Sequence, residues 1–335
     1  MKDVKQSIGI GITEPGIPPA RGFAVIDSAL TICPIFAILL VGFLSGRFSL
    51  LGASAGTEFN RYVVRLALPA LLFEVMAGSK WSELWRPDFI AVFFLGSFVV
   101  FGATVAVRFV KGSHLADATI DGLNAGYANV GFVGLPLCDA VFGRQSIALA
   151  TIAVILTVCV LFGIALVLLE LGLQDEGRTS EVIAKVGMAL LKNPLLVAPL
   201  AGAAWSLFGI PIPTPIEAFV HMLSASATPC ALMALGLFLA VKRQPPVRPG
   251  ATAFMLTALK LGGQPIITAI IGFYAFHLRA ETAGVAVLMA ALPTGTGPFM
   301  LAEFYDREAI TTSHTVLIST SVSIATLAGI IFFLR

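Results

Sequence analysis

Asn129 stands seven residues ahead of Pro136 in an otherwise apolar stretch, Asn124-Ala-Gly-Tyr-Ala-Asn129-Val-Gly-Phe-Val-Gly134-Leu-Pro136-Leu-Cys-Asp139. Its amide offers two donors and an acceptor without the cost of a buried charge. It can therefore hold a carboxylate or cap a broken helix. A second stretch, Ala291-Leu-Pro293-Thr294-Gly295-Thr296-Gly297-Pro298-Phe-Met-Leu-Ala-Glu303, sets hydroxyls and glycines between prolines. Glycine lets a ligand approach the backbone closely. A half-helix starting near Pro298 aims free N–H groups and a positive dipole end at the break, and one starting at Pro136 does the same. Two such ends converging on one cavity favour an anion. The binding candidates are Asn129, Gly134, Pro136, Pro293, Thr294, Gly295, Thr296 and Pro298. Asn124 joins them as a packing or capping amide.

Lys260 lies well inside a third apolar stretch, Ala258-Leu-Lys260-Leu-Gly-Gly-Gln264-Pro265. An ionisable residue at membrane depth is expensive and marks function by default. Three roles fit it: attracting the anion, neutralising the carbonyl end of a broken helix, or snorkelling and pairing internally. Asp139 and Glu303 follow the two breaks at similar offsets from Pro136 and Pro298. Each fits a coupling-proton carrier or a helix-end residue facing water. Glu74 is a further polar candidate, and His221 reads as a packed or interfacial histidine. Cys33, Cys138, Cys159 and Cys230 all sit in apolar stretches without a CxxC pair and read as buried apolar residues. No HExxH, GxSxG or Walker motif is present. An enzyme is not expected, nor any cofactor or metal.

Proline removes a backbone donor and crowds the preceding turn, so neither stretch can be one continuous helix. Irregular backbone at membrane depth persists only where it is buried in protein or lines a cavity. Composition puts these stretches in a membrane: 57% of residues are hydrophobic and 12% charged, against about 25% charged in a soluble domain. The formal charge of +2 is too small to point to nucleic acid.

Residues 1–26 are mixed and Pro/Gly-rich and read as a flexible extension. Apolar spans are expected at 27–46, 59–78, 88–109, 117–142 and 146–171, then at 184–208, 214–241, 249–275, 282–304 and 309–334. The polar stretch 172–183 divides them into two repeats, 27–171 and 184–335. Nearly the same interval separates Pro69 from Pro136 as Pro229 from Pro298. Five spans is an odd number, so a second copy enters from the opposite side and the repeat is inverted. The fold class expected is therefore an all-α polytopic membrane protein with ten helices, of which the fourth and ninth are broken crossovers. Arg47, Arg108, Lys111, Arg178, Lys242, Arg243, Arg248 and Arg307 fall in odd-numbered connections; Lys80, Arg86, Arg144 and Arg279 fall in even ones. The odd connections are then cytoplasmic and both termini external.

Three motifs carry a resemblance. Asn129-Val-Gly-Phe-Val-Gly-Leu-Pro136-Leu, Ala234-Leu-Gly236-Leu-Phe-Leu-Ala240 and Leu292-Pro293-Thr-Gly-Thr-Gly-Pro298-Phe resemble the auxin efflux carrier (AEC) family over about residues 27–334. That family includes plant auxin carriers and bacterial carriers assigned malonate or malate. The resemblance implies a scaffold of spans one, two, six and seven, a transport domain from the rest, and crossover helices meeting at the site. It implies that Asn129 contacts a substrate carboxylate, and that Lys260 with Pro265 matches a basic residue five before a proline. The long cytosolic loop of many plant members has no counterpart in 172–183, which points to a compact, bacterial-type member. The function expected is alternating-access transport of a small organic anion across the cytoplasmic membrane. The rivals are a sodium-coupled symporter of the bile-acid type and a membrane sensor with a transporter fold. The expected partners are the anion, the lipid bilayer and a second copy in a homodimer.

Overall fold

Three of the prolines shape the helices they interrupt in the same way. Pro69, Pro136 and Pro265 each stand two positions after the end of a widened π turn, Val63–Ala67, Val130–Gly134 and Leu259–Gly263 respectively. Proline cannot donate to the carbonyl four residues back, and its ring pushes that carbonyl away. A π turn opens the spiral there and lets the helix continue.

The computed structural model describes residues 37–79, 84–173, 191–209, 211–240 and 249–334, together with Pro34 and Met188. The expected extension 1–26 and most of the 172–183 connection lie outside these residues. So do Cys33, Lys80, Arg178, Lys242, Arg243 and Arg248. The described residues are helical, with one isolated β-bridge.

In chain order, α1 is Ala37–Arg47, and α2 runs from Ala55–Tyr62 through the first π turn into Leu68–Ala77. α3 is Pro87–Val110 and α4 Leu115–Gly126. α5, Leu135–Phe142, continues from the π turn Val130–Gly134. α6 is Arg144–Gly172, α7 Pro194–Phe208, α8 Thr214–Ala240 and α9 Ala251–Ala275. α10 is Ala280–Ala290, α11 Gly297–Phe304 and α12 Ala309–Leu334. Among the described residues, α3, α6, α8, α9 and α12 are long and apolar enough to cross a membrane.

The helices pack in two groups. α2 lies against α7 and α8. α1 joins them through small residues: a Cβ on Gly236 of α8 would stand 2.3 Å from Leu39 O, and one on Gly42 2.7 Å from Met233 O. Only glycine lets the two backbones approach so closely. The other group sets α3 against α4 and α9, α4 against α6, α10 against α6, and α9 and α11 against α12. The interrupted pairs α4–α5 and α10–α11 run through this second group, and their breaks lie at its border with α2 and α8.

Candidate functional site

The two breaks meet. Leaving the helix strips backbone groups of their partners, and such groups must be satisfied inside the protein. Here they satisfy each other. Asn129 N–H donates to Pro293 O at 2.8 Å and Gly295 N–H to Tyr127 O at 3.0 Å, an antiparallel bridge centred on Ala128 and Thr294. The first break falls at Tyr127–Asn129, a full turn and more before Pro136, because the π turn Val130–Gly134 carries the helix back to Asn129. Pro136 therefore sits at the second position of α5 and not at the edge of the unwound segment. Pro298 occupies the equivalent early position of α11, directly after its break.

The backs of the breaks are held by other helices. Lys260, fully buried in α9, donates from Nζ to Ala290 O at 2.7 Å. One turn on, Gln264 Nε2 donates to Gly126 O at 3.2 Å and Ser97 Oγ at 2.9 Å. Ala290 and Gly126 are the last residues of α10 and α4, so one face of α9 receives the carbonyl ends of both interrupted helices. Those ends carry partial negative charge, which the N–H donors of Lys260 and Gln264 complement. Thr294 N–H donates to Ser319 Oγ of α12 at 3.1 Å, Thr294 Oγ1 to Asn124 O at 2.9 Å, and Asn124 Nδ2 to Thr312 Oγ1 at 2.9 Å.

In front of the breaks lies a cavity of about 250 Å³. Its polar end is formed by Tyr127, Asn129, Gly295, Thr296 and Gly297, with Thr228 of α8 nearby. The remaining walls are apolar: Val63, Leu68, Leu71 and Val75 of α2, Val154 and Val158 of α6, Ala227 and Ala231 of α8, and Met300 of α11. No charged side chain is among them. Asn129 makes no side-chain capping bond to its own helix, so its amide is left to the cavity. Gly297 begins α11 and its N–H has no helical acceptor.

A wider space of about 600 Å³ shares the walls Val75, Leu135 and Val154 and leads past Thr151 to Glu74 and Arg144. Beside the cavity α11 packs on α2 and α8. Asn60 Nδ2 donates to Met300 O at 3.3 Å, the Arg65 guanidinium lies 5.9 Å from the Phe304 ring centroid, and Phe238 meets Phe299 edge-on at 5.1 Å.

The sequence matches the family described as membrane transport protein over residues 28–331. The chain belongs to this family, that of the auxin efflux carriers. It is 28% identical to a candidate malonate transporter of Rhizobium meliloti (strain 1021), covering 91% of this chain and 95% of that one. It is 25% identical to the transporter YfdV of Escherichia coli (strain K12), covering 82% and 87%. It is also 25% identical to auxin efflux carrier component 8 of Arabidopsis thaliana, covering 86% and 90%. The protein is thus a membrane transporter of the auxin efflux carrier family.

Of the candidates read from the sequence, this carrier brings Asn129, Gly295 and Thr296 to the cavity wall. Thr294, Asn124 and Lys260 lie behind it in the hydrogen bonds given above. Pro293 contributes its carbonyl to the bridge. Gly134 is buried against Met289 and Leu292, where a Cβ would come within 2.9 Å of both side chains. Pro136 is exposed and Pro298 buried, and neither lines the cavity. Asp139 is exposed and away from it. Glu303 lines a separate recess with Gly46, Ser49 and Thr57. Glu74 Oε1 lies 2.8 Å from His221 Nδ1, at the wide opening.

Sequence reasoning passed over Tyr127, Gln264, Thr312 and Ser319. The last two had a signal: Thr312, Thr315, Ser319 and Ser323 recur every three or four residues in an apolar helix and are all buried. That is the helical period of a stripe facing one partner.

Proposed function

We propose that this carrier moves a small organic carboxylate across the cytoplasmic membrane by alternating access. The observation that carries the reading is the meeting of two interrupted helices at a small cavity with one polar end. That end offers an amide, a hydroxyl and helix-start N–H groups, all neutral donors suited to an anion. The apolar remainder suits a short organic body. Malonate and auxin, the substrates in the names of two relatives, are both carboxylates and fit this class.

The ten spans form two inverted five-span repeats, 27–171 and 184–335. Paired contacts support this. Arg307, just past α11, forms a bidentate ion pair with Asp117 in the first turn of α4, at 2.5 and 2.8 Å. Gln145, just past α5, donates to Glu281 in the first turn of α10 at 2.7 Å. Each short helix is thus tied at its end to the start of the other interrupted helix, as an inverted repeat would have it. α1, α2, α7 and α8 act as scaffold, and the second group carries the site. The side holding Arg47, Arg108, Lys111 and Arg307 is cytoplasmic by the positive-inside rule, so the cavity is open outward, toward Arg144, and both termini are external. Inward opening separates α11 from Asn60 and Arg65 of α2.

Uptake into proteoliposomes with a panel of radiolabelled carboxylates, in sodium and in potassium buffers, tests the proposal. Saturable uptake of at least one carboxylate is expected. Binding without uptake would favour a sensor, and uptake that vanishes without sodium would favour a symporter of the bile-acid type.

A further inference from the structure

Tyr127 is 6% exposed, and its ring is held on three sides. It packs on Phe162, with ring centroids 5.6 Å apart. It also fills the space that side chains on Gly295 and Gly297 would need: a Cβ on Gly295 would stand 2.8 Å from the ring, and one on Gly297 2.9 Å from it. The hydroxyl lies at the start of α11, 3.1 Å from that second position. It makes no hydrogen bond among the described residues, while the residue lines the cavity beside Asn129 and Thr296. A buried phenol normally finds a partner. Here the partner must come from the cavity. The glycines at 295 and 297 thereby gain a second role, since they keep the ring where its hydroxyl faces the ligand.

We infer that Tyr127 is a substrate-binding residue whose hydroxyl donates to the bound carboxylate, together with the Asn129 amide and the Gly297 N–H. The inference rests on the carboxylate reading and adds to it the Tyr127 phenol as a further donor. With no cationic side chain among the described wall residues, the neutral donors together carry the affinity. A hydrogen bond to a charged group is among the stronger ones.

The experiment is Tyr127→Phe in the full-length detergent-purified carrier, titrated calorimetrically with malonate and with indole-3-acetate beside the wild type. The variant keeps the ring on Phe162 and between the glycines, so its ligand-free melting temperature is expected to stay at the wild-type value. Its affinity for whichever carboxylate the wild type binds is expected to fall by about tenfold or more. Equal affinity in wild type and variant would overturn the role of Tyr127 and leave the carboxylate reading standing. A wild type that binds neither probe would overturn both. A variant that melts early would be compared with Phe162→Leu, which loosens the same ring and keeps the hydroxyl. Equal losses of affinity in the two would make Tyr127 a packing residue only, and a larger loss in Tyr127→Phe would uphold the donor role.

Discussion

Asn129→Asp replaces an amide by a carboxylate of the same shape at the polar end of the cavity. Among the described residues the wall there has no charged side chain, and the Lys260 amine is engaged at Ala290 O, which is not part of the wall. Nothing offsets the new charge. Two like charges about 4 Å apart repel by about 4 kcal/mol at an effective dielectric of about 20, which is roughly a thousandfold in affinity. Asn129→Ala removes one donor without adding repulsion and is expected to cost about 1.5–3 kcal/mol, the worth of a hydrogen bond to a charged group. The two variants therefore bracket the mechanism, with Asp worse than Ala. Stability behaves differently. The Asn129 side chain makes no capping bond, whereas a working cap would lose about 1 kcal/mol on truncation. The ligand-free melting temperature of Asn129→Ala is thus expected to stay near that of the wild type. Calorimetric titration with a transported carboxylate and a melting curve decide the matter. Wild-type affinity in both variants would refute the placement of the anion at Asn129, and an early-melting Ala variant with intact affinity would return Asn129 to capping.

Gly236→Ala sets a methyl 2.3 Å from Leu39 O and 2.7 Å from Phe43 N, both backbone atoms; a cost of about 1–3 kcal/mol in overpacking is expected, read as a lowered melting temperature, and no change would mean that α1 is free to shift. Cysteines at Arg65 and Phe304 in a cysteine-free background, joined by a short bifunctional reagent, should hold α11 on α2, stop transport and leave carboxylate binding in place; continued transport would show that this contact does not open. A cysteine at Arg144 should react with an impermeant reagent added outside intact cells, and one at Arg307 should not; the reverse pattern would invert the topology.

The helices were legible because prolines, glycines and charges punctuate an apolar chain. The spans expected at 88–109, 214–241 and 309–334 fall on α3, α8 and α12 within a residue or two. The position of the first break was less legible. Pro136 suggested a helix beginning there, but a π turn absorbs the proline and moves the unwound residues back to Tyr127–Asn129. Such a turn has no composition of its own; it is the local answer to a missing donor inside a buried helix. The partner of Lys260 was out of reach for another reason. Ala290 O is an ordinary backbone atom thirty residues downstream, and only the packing of α9 on α10 selects it. Of the roles the sequence left open for Lys260, holding a carbonyl end and pairing internally both agree with this contact.

That placement bears on how a carrier lets go of its cargo. A lysine on the cavity wall would pair with the carboxylate in a poorly screened interior, where charges attract strongly, and would slow release on the far side. In the proposed mechanism the Lys260 amine is instead engaged behind the break, on the carbonyl end of α10. The anion meets only neutral donors. Each contributes modestly, and each can be replaced by water when α11 parts from α2 and the cavity floods. Lys260 still acts, but through the structure it holds together: with the α4 and α10 carbonyl ends satisfied by Gln264 and Lys260, the starts of the following segments at Asn129 and Gly297 stay aimed at one point. Removing the Lys260 hydrogen bond would therefore be felt first as a loosened bridge between Ala128 and Thr294, and only through that as a weaker hold on the anion.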